Sequence, residues 1–147
     1  MARYGALDWP QHHRGAALAT VRYLVKDVDA AVAFYSALGF VLADRWGPPF
    51  AVMKLADLTL WVSGPGTSAS KALPDGSQPH SGGWNRFVVE VADIDAAISD
   101  LTAKGGRFRS APIQGPGGRQ VLCEDPSGNP IELFEARKFG HESSGSE

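Results

Sequence analysis

Residues 21–42 read VRYLVKDVDAAVAFYSALGFVL, and residues 87–108 read FVVEVADIDAAISDLTAKGGRF. Asp27-Val28-Asp29-Ala30-Ala31 of the first stretch aligns with Asp93-Ile94-Asp95-Ala96-Ala97 of the second, offset by 66 residues. One structural unit is present twice. In each copy an alternating run (Val21, Tyr23, Val25; Phe87, Val89, Val91) has the period of a strand with one face on a core. Each run ends at an aspartate that can accept from the free N–H groups of a helix start, with Asp29 and Asp95 in the first turn, where the helix dipole favours negative charge. Val32, Tyr35 and Leu38 in copy one, and Ile98 and Leu101 in copy two, supply the apolar stripe. Gly39 and Gly105 stop the two helices.

Outward from this element, each copy continues in strands. Phe50 to Leu55 and Leu58 to Val62 flank a turn at Ala56-Asp57. Arg119 to Glu124 and Ile131 to Glu135 flank Asp125-Pro126-Ser127-Gly128-Asn129-Pro130, whose residues each favour turns. Each unit is therefore strand, helix and about three strands. The Gly-, Pro- and Ser-rich segment from Ser63 to Gly83 reads as the connection between units. The predicted organisation is an N-terminal arm (1–18), one domain (19–137) made of modules at about 19–62 and 84–137 joined by the linker 63–83, and a disordered tail (138–147).

Composition narrows the function classes. At 147 residues and 44% hydrophobic content the chain can bury one α+β core, and neither half is comfortable alone. A net charge of −2 gives no electrostatic reason for nucleic acid, and no apolar run is long enough to cross a bilayer. The first residues, MARYGALDWPQHHRG, lack the apolar stretch of a secretory signal, and Cys123 as the only cysteine precludes an internal disulfide. Both suit a cytoplasmic location.

VRYLVKDVDAAVAFYSALGF followed by EDPSGNPIELFE resembles the vicinal oxygen chelate superfamily, which contains glyoxalase I, the extradiol dioxygenases and the bleomycin resistance proteins. The resemblance covers residues 19 to 137 and implies an α+β fold: two tandem βαβββ modules forming a cup-shaped mixed sheet, helices outside, a ligand in the cup, and commonly a homodimer. The family's metal ligands stand near the start of each module's first strand and on each last strand. Those positions map to Thr20 and Arg86, to Glu132 in IELF and, by analogy of LTLW with IELF, to Thr59. Of these, Glu132 alone is a metal ligand. A catalytic divalent metal needs about three histidine or carboxylate ligands, and a guanidinium has no lone pair to give. His12 and His13 lie in the arm, His80 in the linker and His141 in the tail, away from these positions. The expectation is a chain with no cofactor; the alternative is one divalent metal held by other ligands.

Strand alternation aims Thr20, Arg22 and Leu24, and in the twin Arg86, Val88 and Glu90, away from the helices and into the cup, with Thr59, Trp61, Glu132 and Phe134 on the last strands. Arg86 and Glu132 then form a compensating buried pair, which either only fills the space of the lost metal or also presents Arg86 to a ligand oxygen. Trp46, Phe50, Trp61, Trp84 and Phe134 border the same cup, whereas Tyr23 and Phe87 face the helices. Arg119 and Gln120 lead a strand that can reach the cup; Gly115-Pro116-Gly117-Gly118 is a turn and Cys123 a buried, inert thiol.

Two functional classes remain. One is a metal-free binding protein for a small planar aromatic or amphipathic molecule, such as an antibiotic or natural product, with ligand contacts from Thr20, Arg22, Trp46, Thr59, Trp61, Arg86, Glu132 and Phe134. The other is a lyase, isomerase or dioxygenase of the same fold, metal-dependent or using Glu132 as general base. Fold alone does not choose between them.

Overall fold

The repeated aspartates cap helices. In the computed structural model, which describes residues 19–138, the Oδ1 of Asp27 accepts the N–H of Ala30 at 3.0 Å and that of Asp93 accepts the N–H of Ala96 at 3.1 Å. The first module runs β1 (Thr20–Leu24), α1 (Val28–Leu38), β2 (Val41–Trp46), β3 (Phe50–Leu55) and β4 (Leu58–Ser63). After a short 3-10 turn at Ser68–Ser70 the second runs β5 (Phe87–Glu90), α2 (Ile94–Ala103), β6 (Arg107–Phe108), β7 (Ile113–Gln114), β8 (Gly118–Glu124) and β9 (Pro130–Ala136). Gly39 ends α1 at φ +114°, a conformation costly for any residue with a Cβ. The expectations for the N-terminal arm and most of the tail lie outside the described residues, as do those for His12, His13 and His141. Among the described residues no helix is long and apolar enough to cross a membrane.

The strands form two mixed sheets, ordered β1-β4-β3-β2 and β5-β9-β8-β6, with β7 also on β8. Within each, the first strand is parallel to the last (β1 to β4, β5 to β9) and the other pairs are antiparallel. The strand expected once after the second helix is broken into β6 and β7, with Pro112, which has no N–H to give a ladder, in the break. The sheets do not merge into one. Their edge strands β1 and β5 meet through side chains, the rings of Tyr23 and Phe87 lying 5.3 Å apart.

Helix packing widens the predicted stripe. Tyr35 is buried as expected, but Val32 and Leu38 are only partly so, and Val28, Ala31 and Phe34 fill the interior because α1 packs against α2 as well as its own strands. Phe34 also nests against Gly106, where a Cβ would lie 2.8 Å from its ring. Cys123 is buried, and burial pushes its thiol pKa up to about 12, so it stays protonated and inert.

The turn between β8 and β9 joins the modules. Asp125 is fully buried, and its carboxylate accepts the backbone N–H groups of Ser127 (2.8 Å) and Asn129 (3.0 Å), the Asn129 amide (3.0 Å) and the Tyr35 hydroxyl of α1 (2.7 Å). The Asn129 amide nitrogen also donates to the Leu24 carbonyl at 2.7 Å, and its oxygen accepts from the Gly82 N–H at 2.8 Å. The Ser127 hydroxyl accepts from the Lys26 N–H at 2.8 Å, and Tyr23 donates to the Pro130 carbonyl at 2.8 Å. A buried carboxylate is tolerable only when satisfied in this way.

Burial, followed by the charge of Asp125, holds the Tyr35 phenol well above its ordinary pKa, and burial pushes Tyr23 up to about 12. Between the ordinary phenol pKa of 10.0 and these raised values the folded chain keeps protons that the unfolded chain loses, so stability falls as pH rises through that window. Denaturant titrations are expected to give little pH dependence from these groups below about pH 10 and a decline above it. Tyr35→Phe should lower stability by about 1–3 kcal/mol at neutral pH and make the alkaline decline shallower. A decline equally steep without Tyr35 would remove its phenol from the explanation.

Candidate functional site

Alternation sorts each strand into a core face and a face turned away from the helices, here called the cup face. On β4, Leu60 and Val62 are fully buried in the core while Thr59, Trp61 and Ser63 alternate with them. Register carries that face across the first sheet: Thr20 pairs with Thr59, Arg22 with Trp61, Trp61 with Val52, Ser63 with Phe50 and Phe50 with Trp46. The Phe50 and Trp61 rings meet edge to face at 5.7 Å. The Arg22 guanidinium lies 4.9 Å over the Trp61 ring, and its Nη1 donates to the Ser63 hydroxyl at 3.2 Å. Trp46 remains 67% exposed, its indole N–H donating to Asp44 at 2.8 Å.

The second sheet presents a more charged face. Val88 pairs with Glu132 and Glu90 with Phe134, and across β9 Leu122 pairs with Glu132 and Gln120 with Phe134. Arg86 and Glu132 do meet, with Nε and Nη2 both donating to Oε1 at 3.2 and 3.0 Å. The pair is not deeply buried: the side chains are 32% and 13% exposed. Arg86 Nη1 also donates to the Trp84 carbonyl at 3.3 Å. The Trp84 ring carries Arg109, whose guanidinium sits 4.5 Å from its centroid and donates from Nε to Glu124 at 2.7 Å.

Two placements read from the sequence change, and two residues join the site. The two modules superpose through equivalent bonds, Val25 N–H to Ser63 O (3.0 Å) and Val91 N–H to Phe134 O (2.9 Å), which make Ser63 the counterpart of Phe134 and Trp61, not Thr59, that of Glu132. Matching LTLW to IELF slipped the register by two residues, which keeps the face and so left no sign in the alternation. Arg119 leaves the cup for α2, pairing with Asp95 at 3.2 Å; only Gln120 takes the cup face. Arg109 and Glu124 were missed, because β6 is too short for alternation to point along it. The sequence signal for Glu124 was its place four residues beyond Gln120 on β8, on the same face.

At the corrected ligand positions the side chains are Thr20, Trp61, Arg86 and Glu132, and the single carboxylate among them already holds Arg86. Among the described residues no group of three or more His, Cys, Asp or Glu side chains could hold a metal ion. This donor set does not fit a catalytic divalent metal.

The family model for the glyoxalase/bleomycin resistance protein/dioxygenase superfamily matches residues 17–133, and the chain belongs to that superfamily. It is 26% identical to an uncharacterized protein of Mycolicibacterium smegmatis over 113 residues, 77% of this chain and 88% of that one. Among solved structures it is similar to a member of the same superfamily from Sphaerobacter thermophilus (28% identity, TM-score 0.61, 82% of this chain and 97% of that chain). It also shares its fold with lactoylglutathione lyase from Agrobacterium tumefaciens (22% identity, TM-score 0.58, 83% of this chain and 95% of that chain).

Partial exposure scales down the cost of breaking the Arg86–Glu132 pair. A fully buried pair would cost about 3–5 kcal/mol to break and an exposed one under about 1 kcal/mol. Glu132→Gln is expected to cost about 1–2 kcal/mol, and combining it with Arg86→Met should recover part of the summed losses in a denaturant double-mutant cycle. Strictly additive losses would show that the bond contributes nothing.

Proposed function

We propose that this chain is a metal-free binding protein that holds a planar aromatic or amphipathic small molecule, in the class of antibiotics and natural products, against its cup face. The observation carrying this reading is the substitution of Trp61 and Arg86 at two of the four positions where the family's metal-dependent members place ligands. An indole stacks on flat ligands and a guanidinium bonds oxygens; neither binds a cation through a lone pair. Trp46, Phe50, Trp61 and Phe134 supply apolar surface, Thr20 and Thr59 small polar contacts, and Arg22, Arg86 and Glu132 the charged ones. Trp84, beneath Arg109, adds an aromatic wall outside the strands.

The enzymatic alternative has one observation in its favour: among the described residues the Oε2 of Glu132 takes no hydrogen bond, leaving an oxygen for proton abstraction. Such a catalyst would use Arg86 to stabilise an oxyanion. Binding is the simpler reading because the Arg86 bond already occupies the other oxygen.

Titration with a panel of aromatic natural products and antibiotics is expected to change tryptophan fluorescence saturably for at least one compound, with Kd around micromolar or tighter. Trp61→Ala should weaken that binding by about 1–2 kcal/mol. Elemental analysis of the purified protein is expected to find well under one zinc, iron, nickel or manganese per chain. Stoichiometric metal, with turnover of a glutathione or catechol substrate and no response to the panel, would install the enzyme reading instead.

A further inference from the structure

Five of the seven arginines among the described residues are ion-paired, and Arg22 is not one of them. Arg45 pairs with Asp29, Arg86 with Glu132, Arg107 and Arg109 with Glu124, and Arg119 with Asp95. Arg137, at the far end of β9, donates to the Pro116 carbonyl at 2.9 Å. Among the described residues Arg22 forms no ion pair. Its partners among the described residues are neutral: the Ser63 hydroxyl at Nη1 and the Trp61 ring, whose centroid lies 4.9 Å from the guanidinium carbon. On the cup face, Asp44 is two strands beyond Trp61 and holds the Trp46 indole, while Glu90 lies on β5 and forms no ion pair with Arg22.

A guanidinium has five donors in a planar fork. The Trp61 ring on one side and the Ser63 hydroxyl at Nη1 hold this one in place, so it is positioned in advance while its remaining donors take no bond among the described residues. Orientation in advance reduces the entropy lost when a second group binds. Beside it lies Trp61, whose ring meets Phe50 on the next strand, with Trp46 one strand further along the same face. The geometry points to Arg22 as the residue that selects the ligand's charge: the ligand is an aromatic oxyanion, a carboxylate or phenolate on a flat ring, with the oxygens on Arg22 and the ring along Trp61 and Phe50. Arg86 is not that anchor, since Glu132 already balances its charge. This deepens the binding function proposed above and rests on it.

Isothermal titration calorimetry with 2-naphthoate, its neutral isostere 2-naphthamide and inorganic phosphate separates the contributions. The wild-type chain is expected to bind naphthoate at least about tenfold more tightly than naphthamide, and phosphate more weakly than naphthoate, because a charged hydrogen bond adds to stacking and neither suffices alone. Arg22→Met should abolish the preference for naphthoate, lowering naphthoate affinity at least about tenfold more than naphthamide affinity. Ser63→Ala, which keeps the charge and loosens its orientation, should reduce the preference in part. Arg119→Met, paired with Asp95 away from the cup, should retain it in full. Unchanged melting temperatures check that each variant is folded. Equal affinity for naphthoate and naphthamide, a preference that survives Arg22→Met, or phosphate binding as tight as naphthoate would each overturn the assignment. Loss of binding by all three probes overturns it alone if the aromatic panel still binds, and together with the binding function if the panel fails too.

Discussion

The buried Asp125 carboxylate is the constraint on which the rest of the structure depends. It lies in a turn of the second module, yet one of its four hydrogen-bond donors is Tyr35 from the first module's helix. Residues of the same turn hold the backbone at Leu24 and Lys26, where β1 leaves its sheet, and at Gly82 in the connection. Two half-domains of marginal size are thereby fastened at the point where β1, α1 and the linker converge. A buried charge imposes geometry more strictly than apolar contact does, because every departure leaves a donor or acceptor unsatisfied. Apolar packing of Phe34, Ile94, Leu101 and their neighbours supplies the bulk of the burial around it.

With the modules joined on the helix side, the opposite faces of the sheets are relieved of holding the chain together. That is where the two modules have diverged. The first carries an aromatic row and a cation with no ion pair among the described residues; the second carries two arginine–carboxylate groups around Trp84. Equivalent positions thus hold Trp61 in one module and Glu132 in the other, so the duplicated frame is symmetric while its chemistry is not. A ligand bound across such a surface would meet apolar contact on one side and polar contact on the other.

Much of this was legible in the sequence because it depends on local rules. The capping aspartates, Gly39, the strand alternation and the turn residues each act within a few positions, and the duplication let each reading check the other. The Arg86–Glu132 contact followed from the family resemblance, which places both residues at metal-ligand positions, with alternation turning them to one face. What was not legible required distances across the chain. The role of Asp125 depends on Tyr35, ninety residues away, and a turn motif looks the same whether exposed or buried. The two-residue slip that put Thr59 in place of Trp61 preserved the face, so only hydrogen-bond register could expose it. Arg109 was missed because its position follows a two-residue strand with no pattern to extrapolate.

The measurement that bears most directly on this account is native-state hydrogen exchange at the amides of Lys26, Gly82, Ser127 and Asn129, whose acceptors are all side chains of the turn. If the turn joins the modules into one cooperative unit, the Lys26, Ser127 and Asn129 amides exchange only through global unfolding, with the same opening free energy as core amides of β4 and β9. Exchange of these amides through a low-energy local opening, while both sheets stay protected, would show that the modules hold together without the turn and would contradict the account.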